Sequence, residues 1–101
     1  MNNEITQNEK IIHDLTLEII SSDKRYKEKG IAFRVEMNTT QEELHDSKIT
    51  IDLLYDDEII DFIEFFVYQK GELIKDVEGT KKWLKETLNR TYLSATTWFP
   101  R

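Results

Sequence analysis

Cysteine is absent from the 101 residues, which removes disulfide frameworks, thiolate zinc sites, iron–sulfur clusters and cysteine nucleophiles together. Glycine is nearly as scarce, at positions 30, 71 and 79 only. Neither a Gly-x-x-x-x-Gly-Lys nor a Gly-x-Gly-x-x-Gly loop can be assembled from these three, so the usual phosphate cradles of nucleotide-dependent enzymes are missing. None of the four serines, Ser21, Ser22, Ser47 and Ser94, lies in a Gly-x-Ser-x-Gly elbow or has a base beside it. His13 and His45 have no second histidine or cysteine within four residues. Pairing with Asp14 or Asp46 would need adjacent strand residues to point the same way, so both are expected at the surface. There is one proline, and no stretch rich in proline or glycine divides the chain. No apolar run approaches the roughly 20 residues of a membrane span, and Met-Asn-Asn-Glu-Ile-Thr-Gln lacks the basic start and apolar stretch of a secretory signal. Without such a signal, Asn38-Thr39-Thr40 and Asn89-Arg90-Thr91 are chance matches to the glycosylation pattern. The expectation is a soluble cytoplasmic protein, a single domain over 1–101, with no catalytic residue, metal or cofactor.

What is present suffices for a core: apolar residues make up 39% and aromatics 11%, against 34% charged. Isoleucine, lysine, asparagine, tyrosine and phenylalanine number 36, while alanine, glycine, proline and arginine number 10. That bias follows AT-rich codons and suggests a low-GC bacterium or one of its phages.

Along the chain, residues 1–10 read as a polar, frayed lead-in with Ile5 isolated. Leu15, Leu17 and Ile19 alternate with Thr16 and Glu18, the period of a half-buried strand. The rival reading is a helix over 8–20 presenting Ile12, Leu15 and Ile19; isoleucine and threonine without alanine favour the strand. Ser22 to Gly30 reads as a charged loop. Ile31 to Met37 alternates cleanly, with Ile31, Phe33, Val35 and Met37 toward the core. Asn38 to Ser47 is expected to leave the sheet, Thr40-Gln41-Glu42-Glu43 opening one helical turn at most. Lys48 to Tyr55 is a further strand, and Asp56-Asp57-Glu58 a tight turn. Ile59 to Tyr68 returns with apolar residues on both faces, as in a central strand covered on both sides. Lys70-Gly71 turns into a short extended piece at Glu72 to Lys75. Asp76 then caps a helix from Val77 to about Tyr92, with Leu84 and Leu88 on its apolar stripe. Residues 94–101 form an irregular aromatic tail. The fold class is α+β: an antiparallel β-meander of about four strands with a C-terminal helix packed on one face.

Charge is the distinctive feature. Residues 42–64 hold nine acids against the single base Lys48, so this window carries −8 while the whole chain carries −6, leaving +2 elsewhere. A net negative chain with a sequence pI near 4.9 argues against direct binding of nucleic acid. A calcium loop of the Asp-x-Asp-x-Asp-Gly type is not present, which disfavours a cation on Asp56, Asp57 and Asp61. Asp61 and Glu64 as an acid/base pair would point to opposite faces of one strand. A solvated hairpin that resists edge-to-edge aggregation accounts for the cluster without function. The functional alternative is a patch that steers toward a basic protein surface. Its residues are Asp52, Asp56, Asp57, Glu58 and Asp61, with Tyr55 and Tyr68 as aromatic anchors.

The function these features suggest is a small, acidic, non-enzymatic protein-binding domain. In the bacterial or phage setting, an inhibitor of the immunity or anti-defence type fits that description. The alternative is a self-assembling homo-oligomer subunit joined through Trp98 and Phe99 or a sheet edge. No membrane partner is expected.

Overall fold

The computed structural model describes residues 3–41 and 44–95. Its elements in chain order are α1 (Asn3–Ser22), α2 (Lys24–Glu28), β1 (Ile31–Gln41), β2 (His45–Tyr55), β3 (Glu58–Gln69), β4 (Glu72–Leu73) and α3 (Val77–Ala95). The four strands make one antiparallel meander in the order β1-β2-β3-β4. Alternation is strictest in β2, where Ser47, Ile49, Ile51 and Leu53 are buried and the residues between them are not. Successive strand side chains point to opposite faces, so this pattern means one face is covered and one is open. All three helices contribute to the covered side: Ile12 and Ile20 from α1, Tyr26 from α2, and Leu84 and Leu88 from α3 join the β2 isoleucines in one core.

The alternation at Leu15, Leu17 and Ile19 does not make a strand. Residues 3–22 form one helix, which also absorbs most of the expected lead-in. Its buried face is Ile12, Thr16 and Ile20, a four-residue period, with Ile5 and Ile19 packed alongside and Leu17 left 40% exposed. Thr16 hid this stripe in the sequence because a polar residue holds its central position. In the structure its hydroxyl donates to the Ile12 carbonyl at 2.8 Å, which satisfies it within the helix.

The charged segment after α1 is likewise not a plain loop. Asp23 caps α2, its carboxylate accepting from the Arg25 amide at 3.3 Å and from the Arg25 side chain at 3.0 and 2.8 Å. The guanidinium contact holds the Asp23 carboxyl below its ordinary range. That single turn delivers Tyr26 into the core, fully buried. The ring meets Phe33 and Tyr92 edge-on at 5.0 and 5.5 Å, and its hydroxyl donates to the Leu88 carbonyl of α3.

Asn38 to Gln41 and His45 to Ser47 stay in the sheet. The β1–β2 register continues without a shift from Ile31↔Tyr55 to Gln41↔His45, so Thr40 and Gln41 are strand residues, while Glu42 and Glu43 lie outside the described residues. Backbone pairing, with no apolar pattern to announce it, carries these polar positions. Asp76 does cap α3, accepting from the Gly79 amide at 2.7 Å, and Leu84 and Leu88 form the buried stripe. Ser94 and Ala95 belong to this helix; Trp98 and Phe99 lie outside the described residues. No helix among the described residues is long and apolar enough to cross a membrane.

Burial pushes the Tyr26 phenol well above its ordinary value of 10, with Asp23 adding to the shift. Above pH 10 the unfolded chain therefore releases a proton that the folded chain keeps, and stability falls as pH rises. Tyr26→Phe is expected to lose about 1–2 kcal/mol at neutral pH through the missing hydrogen bond. Its stability should also decline less steeply than the wild type's above pH 10, as read by urea unfolding across pH 8–11.

Candidate functional site

The β2–β3 turn is built without glycine. Asp56 and Asp57 take left-handed backbone angles, φ 53 and 65, between the closing pair Tyr55 and Glu58. Two successive left-handed residues match the right-handed twist of the flanking strands, which is why hairpins of this kind close in two residues. Aspartate tolerates that region better than most residues but less well than glycine. Asp56, Asp57 and Glu58 are all exposed, and their side chains make no ion pair or hydrogen bond with a described residue.

Two irregularities in β3 decide what stands beside this turn. Leu53 pairs with Asp61 and Leu54 with Ile59, so Ile60 is an extra residue; Lys48 pairs with Phe66 and Ser47 with Tyr68, so Val67 is another. Each bulge shifts the in–out alternation by one position. Between them Ile63 and Phe65 face the helices and Phe62, Glu64 and Phe66 face outward. Beyond the first bulge Ile59 also turns outward, opposite Leu54. Strict alternation would have placed Ile59 with Ile63, Phe65 and Val67 on one covered face, and the bulge prevents it. Ile59 and Phe62 are 54% and 55% exposed, and among the described residues β3 is covered on one side only, not on both as expected.

The expected site residues separate into three groups. Asp56, Asp57 and Glu58 form the tip, with Tyr55 at its base, 42% exposed and next to Gly30, whose φ is 79. Asp61 follows the Ile60 bulge and turns one carboxylate oxygen onto the Phe62 amide at 2.8 Å. Asp52 is engaged: it pairs across the outer face with Arg34 at 2.8 and 3.2 Å, and its side chain is 15% exposed. Tyr68 does not belong with the others. It lies ten residues along β3 from Glu58, some 30 Å at strand rise, is 5% exposed, and accepts a hydrogen bond from Asn8 at 2.9 Å. The late bulge at Val67 turned it into the core. Asp61 and Glu64 lie on opposite sides of β3, as expected, with Glu64 held by Lys48 at 3.2 Å on the outer face.

Sequence reasoning missed Ile59 and Phe62, because nothing in an apolar run marks where a bulge falls. His45 was also misread as a surface residue. Its ring is 13% exposed, 2.7 Å from the Glu9 carboxylate and edge-on to Tyr68 at 5.8 Å, so it fastens α1 to the start of β2. Among the described residues no three metal-ligating side chains converge. The site thus offers a two-aspartate tip, Glu58, and outward apolar side chains at Ile59 and Phe62. It presents contact area and negative charge. Comparison with protein-family models, curated proteins and solved structures finds no match.

The strain at the tip is measurable. Asp56→Asn with Asp57→Gly installs the residue pair that favours this turn, and is expected to stabilise the chain by about 1 kcal/mol in thermal or urea unfolding. Equal or lower stability would mean that the two aspartates are not strained.

Proposed function

We propose that this chain is a non-enzymatic protein-binding domain that occupies a basic surface of a partner protein through the β2–β3 tip. The observation that carries the reading is the pairing of Ile59 and Phe62, each more than half exposed, with the unpaired carboxylates of Asp56, Asp57 and Glu58. Exposed apolar side chains supply the buried centre of an interface, and a rim of one charge sets approach and orientation. A binder of this kind acts by covering its target, and an inhibitor of the immunity or phage anti-defence type, working in the cytoplasm of a low-GC bacterium, fits that mode of action. The sheet carries a second reading. The outer edge of β1, and that of β3 from Glu58 to Phe66, have no strand partner among the described residues, which suits a homo-oligomer joined edge to edge. Self-pairing of β3 would bring Glu58, Asp61 and Glu64 against like charges, and this favours the partner-binding reading.

The test is affinity capture from the source cells with the wild-type chain as bait, followed by binding kinetics on the captured partner. Asp56→Asn, Asp57→Asn and Asp61→Asn together remove charge while keeping, at 56 and 57, residues that tolerate the left-handed turn. This variant is expected to slow association about tenfold at low salt, with little change in dissociation. Phe62→Ser is expected to act on dissociation instead, speeding it by about 30-fold for an anchor worth about 2 kcal/mol. Unchanged binding by both variants would overturn the proposal. A stable dimer of the purified chain in light scattering at tens of micromolar, lost on placing a proline in β1, would favour edge pairing.

A further inference from the structure

Between the second half of α1 and the middle of α3 lies an open cleft of about 460 Å³ that no described residue fills. The two helices run parallel: Asn8, Ile11 and Ile12 lie near Val77, and Leu15 to Ser22 lie near Lys81 to Leu88. Leu15 and Ile19 form one apolar wall, Leu88 the floor, and Lys24, Lys81 and Lys85 the rim. The wall from Leu15 to Ser22 covers two helical turns, about 10 Å.

The charges around the opening are unequally committed. Asp23 and Arg25 are spent on each other, and Arg25 also donates to Asn89 at 2.9 Å and lies over the Tyr92 ring. Lys81 has only a 3.7 Å contact with the exposed Glu78, and Lys24 and Lys85 have no partner among the described residues. Glu18 is the one uncommitted acid of the lining. Lys24, Arg25, Lys81 and Lys85 against Glu18 and Asp23 leave the lining positive on a chain whose net charge is −6. Its volume lies in the range of small-molecule sites, and an apolar wall beside a few charged groups is their usual composition.

We propose that this cleft binds a small anionic amphiphile: a carboxylate or sulfate head on an aliphatic chain. The head sits between Lys81 and Lys85 with Lys24 within reach, and the chain lies along Leu15, Ile19 and Leu88. The last carbonyls of α1 carry partial negative charge near Ser22, which places the head toward α3. Glu18 opposes the head and limits affinity. The surface shares no residue with the β2–β3 tip, so this proposal and the partner-binding reading fail or succeed separately.

Titration of the full chain with sodium decanoate below its micelle concentration, followed by amide NMR shifts and calorimetry, tests it. Decanoate is expected to bind one to one and to move the amides of Leu15, Ile19, Lys81 and Lys85. Acetate, which has the head alone, should move none of them. Decyltrimethylammonium, with the same chain and the opposite charge, should bind about tenfold more weakly. Lys85→Glu lies on an exposed helix position and leaves the core untouched; it should weaken decanoate about tenfold, whereas Glu18→Gln should strengthen it about threefold. The proposal is overturned by equal binding of the two surfactants, by shifts confined to Ile59 and Phe62, or by unchanged affinity in Lys85→Glu. It is overturned equally by an acidic amphipathic peptide that moves these amides where decanoate does not.

Discussion

Ser47, Ile49, Ile51 and Leu53 alternate along β2 on the side toward the helices, and the rest of the molecule is arranged by the need to keep that side dry. Each isoleucine or leucine fully buried there contributes about 1.5–3 kcal/mol relative to exposure. One helix cannot cover a sheet whose strands run to 11 and 12 residues. Coverage is therefore shared by α1, α3 and the single turn of α2, with Tyr26 filling the corner between α2, β1 and α3 through Phe33, Tyr92 and the Leu88 carbonyl. Because all the cover from the described residues lies on one side, among them the other face of the sheet has only its own side chains. Arg34 with Asp52 and Lys48 with Glu64 pair across it, and no such pair protects Ile59 or Phe62.

The bulges turn this one-sided arrangement into a candidate interface. In an unbroken β3, Ile59 would share the covered face with Ile63, and Tyr68 would turn outward. The extra residue at Ile60 puts Ile59 outside, and the one at Val67 brings Tyr68 inside, where it accepts from Asn8 and stacks edge-on to His45. The same device that exposes an apolar residue beside the acidic tip therefore anchors the far end of the strand to α1. Bulges are over-represented where a strand must aim a side chain, and this chain uses two in one strand.

The meander and its C-terminal helix were legible because they rest on strong local signals: alternation at Ile31–Met37 and Lys48–Tyr55, Asp56-Asp57 and Lys70-Gly71 as turns, and Asp76 as a cap. What escaped has a physical reason in each case. The stripe of α1 is interrupted by Thr16, whose hydroxyl is satisfied by its own helix and so costs little to bury. Tyr26 sits among six charged neighbours in a segment that reads as loop, and one apolar residue has no period. The outer halves of β1 and β2 are polar and held by backbone hydrogen bonds, which leave no mark on side-chain pattern. Of the candidate site, the charge at Asp56, Asp57 and Glu58 was visible as composition. Its apolar half, Ile59 and Phe62, depends on register, and register is a property of the pairing of strands.

Charge is divided between the two layers. The sheet side carries the acids of the tip, uncompensated, while the helix side carries Lys24, Lys81 and Lys85 around an apolar trough. Tyr26 lies between them: Leu88, its hydrogen-bond acceptor, floors the cleft, and the charge of Asp61 is among those that raise its phenol pKa. A buried ring held by edge contacts on two sides and a hydroxyl on a helix carbonyl has one low-energy arrangement. Two charged surfaces of opposite sign on such a frame are separate candidates for binding, so the acidity of the chain as a whole describes only one of them.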